Sequence, residues 1–170
     1  MVHNQERVVI KMKKKVGILT GGGDCPGLNP AIRAVVRGLD PEQYEVVGFR
    51  LGWKGPIENI TMKLDGFNID ALLYEGGTAL GSSRTNPYNQ EGGVAAIKKT
   101  FEQEQLHALV AIGGEDTMGV AHKLYSQEQL PIVGIPKTID NDLDATDYTL
   151  GFQTAVEIAT ESIDRLITTA

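Results

Sequence analysis

One cysteine, one tryptophan and few aromatic residues set the first limits on this sequence. Cys25 has no second cysteine to pair with, which excludes an internal disulfide and suits a reducing compartment. Aromatic residues make up 6% of 170 residues against 20 glycines, a balance that favours tight loops over a β-sandwich. No apolar run approaches the roughly 20 residues that a membrane helix needs. There is no basic stripe: 16 Lys and Arg face 22 Asp and Glu, for a formal charge of -6. That balance argues against non-specific nucleic-acid binding. Val8-Val9-Ile10 is too short for a signal-peptide core, so no address is expected at the N-terminus. With 41% hydrophobic and 22% charged residues the chain can bury a core. The expectation is a soluble, cytoplasmic α/β protein without membrane or nucleic-acid partners.

Residues 1–14 read as a basic lead-in, with disorder one option and Met12 as an alternative start. Val16-Gly17-Ile18-Leu19 is a short buried strand, and Thr20 to Gly27 a loop. A helix is expected from about Pro30 to Gly38, capped by Asn29, with Ile32, Val35, Val36 and Leu39 on one face. Tyr44 to Phe49 is a second strand, Gly52 to Leu64 is irregular, and Asp70 to Tyr74 is a short helix or strand. Gly76 to Asn89 is a long polar loop. Further on come a helix from Gly92 to Glu104, a strand over 109–112, a helix over 117–125 and a strand over 132–135 stopped by Pro136. The longest helix is expected over 149–168, with Phe152, Ala155, Val156, Ala159, Ile163 and Leu166 as its apolar stripe. Buried strands alternating with amphipathic helices predict a doubly wound, mostly parallel, Rossmann-like α/β sheet over 15–170.

Three loops follow three of these strands, and in such sheets ligands bind beyond the carboxyl ends of the strands. The first, TGGGDCPG, has four glycines in eight positions and brings N–H groups near an anion, or is a tight turn without a ligand. It is neither a Walker A loop nor a dinucleotide fingerprint. The second, Gly113-Gly114-Glu115-Asp116-Thr117, sets two carboxylates at a strand end, for Mg²⁺ or for helix capping by Asp116 or Thr117. The third runs Pro136-Lys137-Thr138-Ile139-Asp140-Asn141-Asp142 and offers an ammonium and two carboxylates, or a polar loop of Asx turns. Arg84 lies in the long polar loop, where length favours function over plain surface. Arg33 and Arg37 share a helix face, solvated or as an anion patch. His3, His107 and His122 lack ligand spacing. Backbone donors, Lys137, Arg84 and four carboxylates suit Mg²⁺-assisted phosphoryl transfer and suit hydride transfer poorly.

The stretches TGGGDCPGLNPAIRAVVR, GGTALGSSR, AIGGEDT and PKTIDND followed by TDYTLGFQTA resemble the phosphofructokinases. Members of that family move a phosphoryl group onto the 1-hydroxyl of fructose 6-phosphate. The resemblance implies that Asp140 is the catalytic base, with Lys137 beside it. It places Thr138 and Asp142 around the sugar hydroxyl. It puts Gly22, Arg84, Gly114, Asp116 and Thr117 on the donor phosphates, and Glu115 at the Mg²⁺ position, where an aspartate is usual. Arg33 and Arg37 match an effector site of some bacterial members. Asp116 and Lys137 stand where ATP-using members commonly carry glycines, so the resemblance favours pyrophosphate as donor, with ATP the alternative. It also implies a donor-binding half that is incomplete relative to the family, weak or absent turnover by this chain alone, and a homo-oligomer for the complete protein. The rival readings are a half that binds the Mg²⁺-phosphate donor without catalysis, a lipid- or NAD-kinase relative, and a hydride-transferring Rossmann enzyme.

Overall fold

The computed structural model describes residues 12–64 and 67–167. Residues 1–11 of the expected lead-in and Thr168 of the expected long helix lie outside them. In chain order the elements are β1 (Lys14–Thr20), α1 (Leu28–Gly38), β2 (Tyr44–Phe49), α2 (Lys54–Glu58) and β3 (Thr61–Lys63). There follow α3 (Gly93–Gln103), β4 (Leu106–Gly113), α4 (Glu115–Ser126), β5 (Ile132–Thr138), β6 (Leu150–Gly151) and α5 (Phe152–Ile167). Two 3-10 turns, Ala71–Tyr74 and Pro87–Asn89, interrupt the long connection between β3 and α3.

The strands form one sheet in the order β3-β2-β1-β4-β5-β6. All pairs are parallel except β2 with β3, which is antiparallel. Alternation along each strand sends neighbouring side chains to opposite faces. Ile18, Val46 and Ile112 pack under α1 residues Leu28, Ala31 and Ile32. Leu19, Val47 and Ala111 face the other way, against Ile97 and Phe101 of α3 and Val120, Ala121 and Leu124 of α4. Helices therefore cover both faces, as the doubly wound reading requires.

Several local expectations are corrected. The stretch from Gly52 to Leu64 is not irregular throughout, since it holds α2 and the edge strand β3. Asn29 does not cap α1; Gly27 takes that position, in a left-handed conformation with φ 98°. The Asn29 side chain is buried inside the first turn and bonds Glu75 O, Gly76 O and Ala79 N instead. Neither Asp116 nor Thr117 caps α4: Gly114 does, with Glu115 and Asp116 in the first turn. Pro136 does not stop β5, which runs on to Thr138. Pro136 sits where pairing passes from β4, ending at Gly113↔Pro136, to β6, starting at Lys137↔Leu150, so the ladder tolerates a missing N–H there.

The long C-terminal helix starts at Phe152 rather than 149, because Leu150 and Gly151 are drawn into β6. It has its apolar residues, but none of its side chains is buried. Ile163 is 58% and Leu166 68% exposed. On the sheet face shared with α1, Val133 of β5 is 56% exposed. No helix among the described residues is long and apolar enough to cross a membrane.

Candidate active site

The strand order reverses between β1 and β4, which lie side by side while their connections run to opposite edges. The loops leaving their carboxyl ends open a crevice between them. The Gly21 N–H donates to the Ile112 carbonyl at 2.8 Å, holding the first loop against the end of β4. Thr117, 3% exposed, is wedged between these two loops. A Cβ on Gly21 would stand 2.5 Å from the Thr117 Oγ1, and one on Gly113 would stand 2.6 Å from the Thr117 Cβ. Both glycines are thus required by close approach to a single side chain.

β5 brings in the third loop. Lys137 is 4% exposed, and its Nζ donates to the Gly23 carbonyl at 2.6 Å. The three loops line one cavity of about 310 Å³, with Gly22, Lys137, Asp116 and Asp140 on its wall. Glu115, Thr138, Asp142, Gly114 and Thr117 line the same space. A larger cavity of about 630 Å³ adjoins it, sharing Gly22, Gly23, Asp116 and Thr117 and adding Trp53, Arg84 and Asn86.

The long polar loop that carries Arg84 is bolted down. The Thr20 hydroxyl, at the end of β1, lies 2.7 Å from the Thr78 hydroxyl and donates to Gly81 O at 3.0 Å. The Ser83 hydroxyl donates to Leu51 O at 2.7 Å, and Leu51 N–H to Leu80 O at 2.9 Å. Arg84 therefore projects, exposed, from an anchored segment.

Glu115 and Asp116 sit in the first turn of α4, where the helix dipole favours negative charge. Among the described residues no three His, Cys, Asp or Glu side chains group closely enough to cage a metal. Mg²⁺ needs no cage, because it usually takes one or two carboxylates and leaves other positions to phosphate and water. Five carboxylates on one small cavity, Asp24, Glu115, Asp116, Asp140 and Asp142, fit that mode. Nearby, burial pushes the Cys25 thiol above its ordinary value, with Lys137 pulling less strongly the other way.

Arg33 and Arg37 are neither freely solvated nor an open anion patch. The Arg33 Nε donates to Asp70 Oδ1 at 3.0 Å, and Arg37 pairs with the same carboxylate. They line neither cavity. Sequence reasoning missed Trp53, on the wall of the larger cavity, whose indole N–H is buried without a partner among the described residues. Its signal was a lone large aromatic set between Gly52 and Gly55. Asn141, named only as part of the third loop, and Thr149, whose N–H donates to it, were given no role either.

The family model for phosphofructokinase matches residues 15–170. A pyrophosphate–fructose 6-phosphate 1-phosphotransferase of Amycolatopsis methanolica is 59% identical over 157 residues, 92% of this chain and 46% of that protein. An ATP-dependent 6-phosphofructokinase of Mycobacterium leprae is 52% identical over 159 residues, again 92% of this chain and 46% of the relative. Phosphofructokinase from Saccharomyces cerevisiae superposes with a TM-score of 0.80 at 29% identity, over 93% of this chain and 24% of that one. Pyrophosphate-dependent phosphofructokinase from Marinobacter aquaeolei gives a TM-score of 0.77 at 26% identity, over 89% of this chain and 41% of that one. The chain spans about half the length of the curated relatives it matches. A doubly wound sheet, its loop-lined crevice and this match along 15–170 lead to one conclusion: the chain belongs to the phosphofructokinase family and corresponds to the N-terminal portion of its members.

Proposed function

We propose that this chain is the donor side and catalytic loop of a 6-phosphofructokinase that transfers a phosphoryl group to the 1-hydroxyl of fructose 6-phosphate. The observation that carries this is the small cavity where the three loops meet, with a buried ammonium and the Asp140 carboxylate on one wall. In the proposed reaction Asp140 accepts the proton of the sugar hydroxyl. The freed oxygen bonds the transferred phosphorus, and the bond from phosphorus to the leaving phosphate breaks. Thr138 and Asp142 lie beside Asp140 to orient the hydroxyl. Gly22, Gly114 and Thr117 line the donor side, and Lys137 supplies a fixed positive charge there. Arg84 reaches toward the donor from the larger cavity. Glu115, in the first turn of α4, would hold Mg²⁺, which when bound would neutralise donor phosphate charge.

Relatives of both donor types match this chain, so the choice of donor rests on Asp116 and Lys137. Asp116 lines both cavities and stands at their junction. A nucleoside triphosphate spanning the two would bring its α-phosphate against that carboxylate. Pyrophosphate needs only the smaller space, where Lys137 supplies compensating charge. Pyrophosphate is therefore the proposed donor.

The sugar side is thin in this chain. The open faces of α5 and β5 point to a further polypeptide portion covering them, and we assign that role to the remaining half found in relatives. In the complete protein a homo-oligomer is expected. By itself the chain would then hold the donor without turning it over, which is the second reading its uncovered helix favours.

The test is a coupled assay for fructose 1,6-bisphosphate with Mg²⁺, fructose 6-phosphate and either pyrophosphate or ATP. It is run on this chain and on a chimera carrying residues 15–170 in place of the matching part of the Amycolatopsis relative. Turnover with pyrophosphate by the chimera is the expected result. A folded chimera silent with both donors would overturn the reading, and turnover with ATP alone would overturn the donor choice. Robust turnover by the 170-residue chain alone would overturn the need for a second half.

A further inference from the structure

We propose that Thr149 is a positioning residue for the loop that carries Asp140, acting through Asn141; the inference rests on Asp140 being the proton acceptor. The loop leaves β5 at Thr138 and returns at Leu150, closed at its base by the pairs Lys137↔Leu150 and Thr138↔Gly151. Thr149 stands just inside that closure, polar yet only 3% exposed. Its hydroxyl donates to the Thr138 carbonyl at 2.8 Å. Its N–H donates to Asn141 Oδ1 at 2.8 Å, and the hydroxyl lies 3.3 Å from the same oxygen.

Asn141 separates Asp140 from Asp142 and adopts φ +53°, a left-handed backbone that asparagine tolerates better than most residues. The Asn141 amide nitrogen also reaches Asp147 O at 3.4 Å. On the other side, the Asp140 N–H donates to Thr138 Oγ1 at 3.1 Å. Asp140 is thus held from before by Thr138 and from behind by Asn141, and both supports converge on Thr149. A hydroxyl that merely satisfied its own burial would need one partner. Here one residue closes both ends of the segment 138–141. Proton transfer requires near-attack geometry, so a loosened segment should lose rate before it loses binding.

The test compares wild type, Thr149→Val and Thr149→Ser. Valine keeps the shape and removes the hydroxyl bonds to Thr138 O and Asn141 Oδ1, leaving the Thr149 N–H bond to Asn141 in place; serine restores the hydroxyl. In the 170-residue chain, amide hydrogen exchange at Asp140 should rise about 10-fold in the valine variant, with β4 and α4 amides unchanged. In the chimera, kcat should fall about 100-fold with KM for fructose 6-phosphate within about 3-fold, and serine should recover most of both losses. Where valine fails to fold, Asn141→Gly keeps the backbone angle and deletes the acceptor, and Asn141→Asp retains it; glycine should behave as valine does and aspartate as serine does. Unchanged exchange, or increased exchange with unchanged kcat, would overturn the proposal. An inactive wild-type chimera would overturn the phosphoryl-transfer reading instead, while exchange at Asp140 would still decide whether the clasp exists.

Discussion

The Lys137 ammonium donates to the Gly23 carbonyl at 2.6 Å, joining β5 to the loop after β1 across 114 residues of sequence. Lys137 has no carboxylate partner in that contact, and its side chain is almost fully buried. Among the described residues this buried cation is in no ion pair and relies on the more distant carboxylates of the same cavity, so its compensation is partial. A donor phosphate placed beside it would complete the compensation.

Removing that charge should therefore separate stability from binding. Lys137→Met is expected to be as stable as wild type or more so, because a desolvated charge is replaced by apolar volume. Pyrophosphate affinity in Mg²⁺ should fall about 10- to 100-fold, the worth of a charge-assisted hydrogen bond. Urea unfolding and calorimetric titration measure the two effects. Loss of stability without loss of affinity would contradict this account of Lys137.

The Thr117 wedge gives a cleaner geometric test. Gly21→Ala should destabilise by about 1–3 kcal/mol through overpacking. Adding Thr117→Ala removes the atoms it meets and should restore much of that loss, although Thr117→Ala alone is also destabilising. Gly113→Ala should be rescued less, because the Thr117 Cβ, which alanine keeps, would stand as close to the added methyl as Oγ1 does, at 2.6 Å. Thermal unfolding of the two double-mutant cycles reads the difference.

Acid should weaken a tie at the opposite end of the sheet. Glu104 accepts from Lys15 at 3.0 Å and from Asn59 at 3.1 Å. These bonds, Lys15 first, hold its carboxyl below the ordinary value of 4.5. Because the folded value is the lower one, the contribution is complete above the unfolded value and is lost as pH falls through the folded value. Glu104→Gln should cost roughly 0.5–1 kcal/mol at pH 7. That difference should shrink as pH drops below the ordinary value, which urea unfolding of both proteins across the acid range would follow.

Cys25 should be a poor nucleophile despite its place in the glycine-rich loop. It is 4% exposed, and burial raises its thiol. Alkylation by iodoacetamide at pH 7 should be about 100-fold slower than in urea, since thiolate and access are both scarce. Rapid labelling of the folded chain would show that the loop opens.

The sequence by itself determined the sheet and the loops that could carry chemistry. Val16–Leu19 and 109–112 are apolar runs that only a sheet covered on both faces can bury, and glycine marks where the chain leaves each of them. Those same loops meet at the crevice. Tertiary structure decided what local pattern does not encode. Asn29 looks like a cap, yet its amide finds carbonyls 46 and 47 residues away. Arg33 and Arg37 look like an anion patch until Asp70, 37 and 33 residues on, folds against them. Pro136 looks like a strand end, but β6 arrives from beyond the loop that follows β5 and extends the ladder. The α5 stripe has helical period, which fixes its conformation and an apolar side, while burial depends on a neighbour that the described residues do not place there. Period and turn chemistry act over a few residues; partners across the sheet are chosen only once the chain has closed on itself.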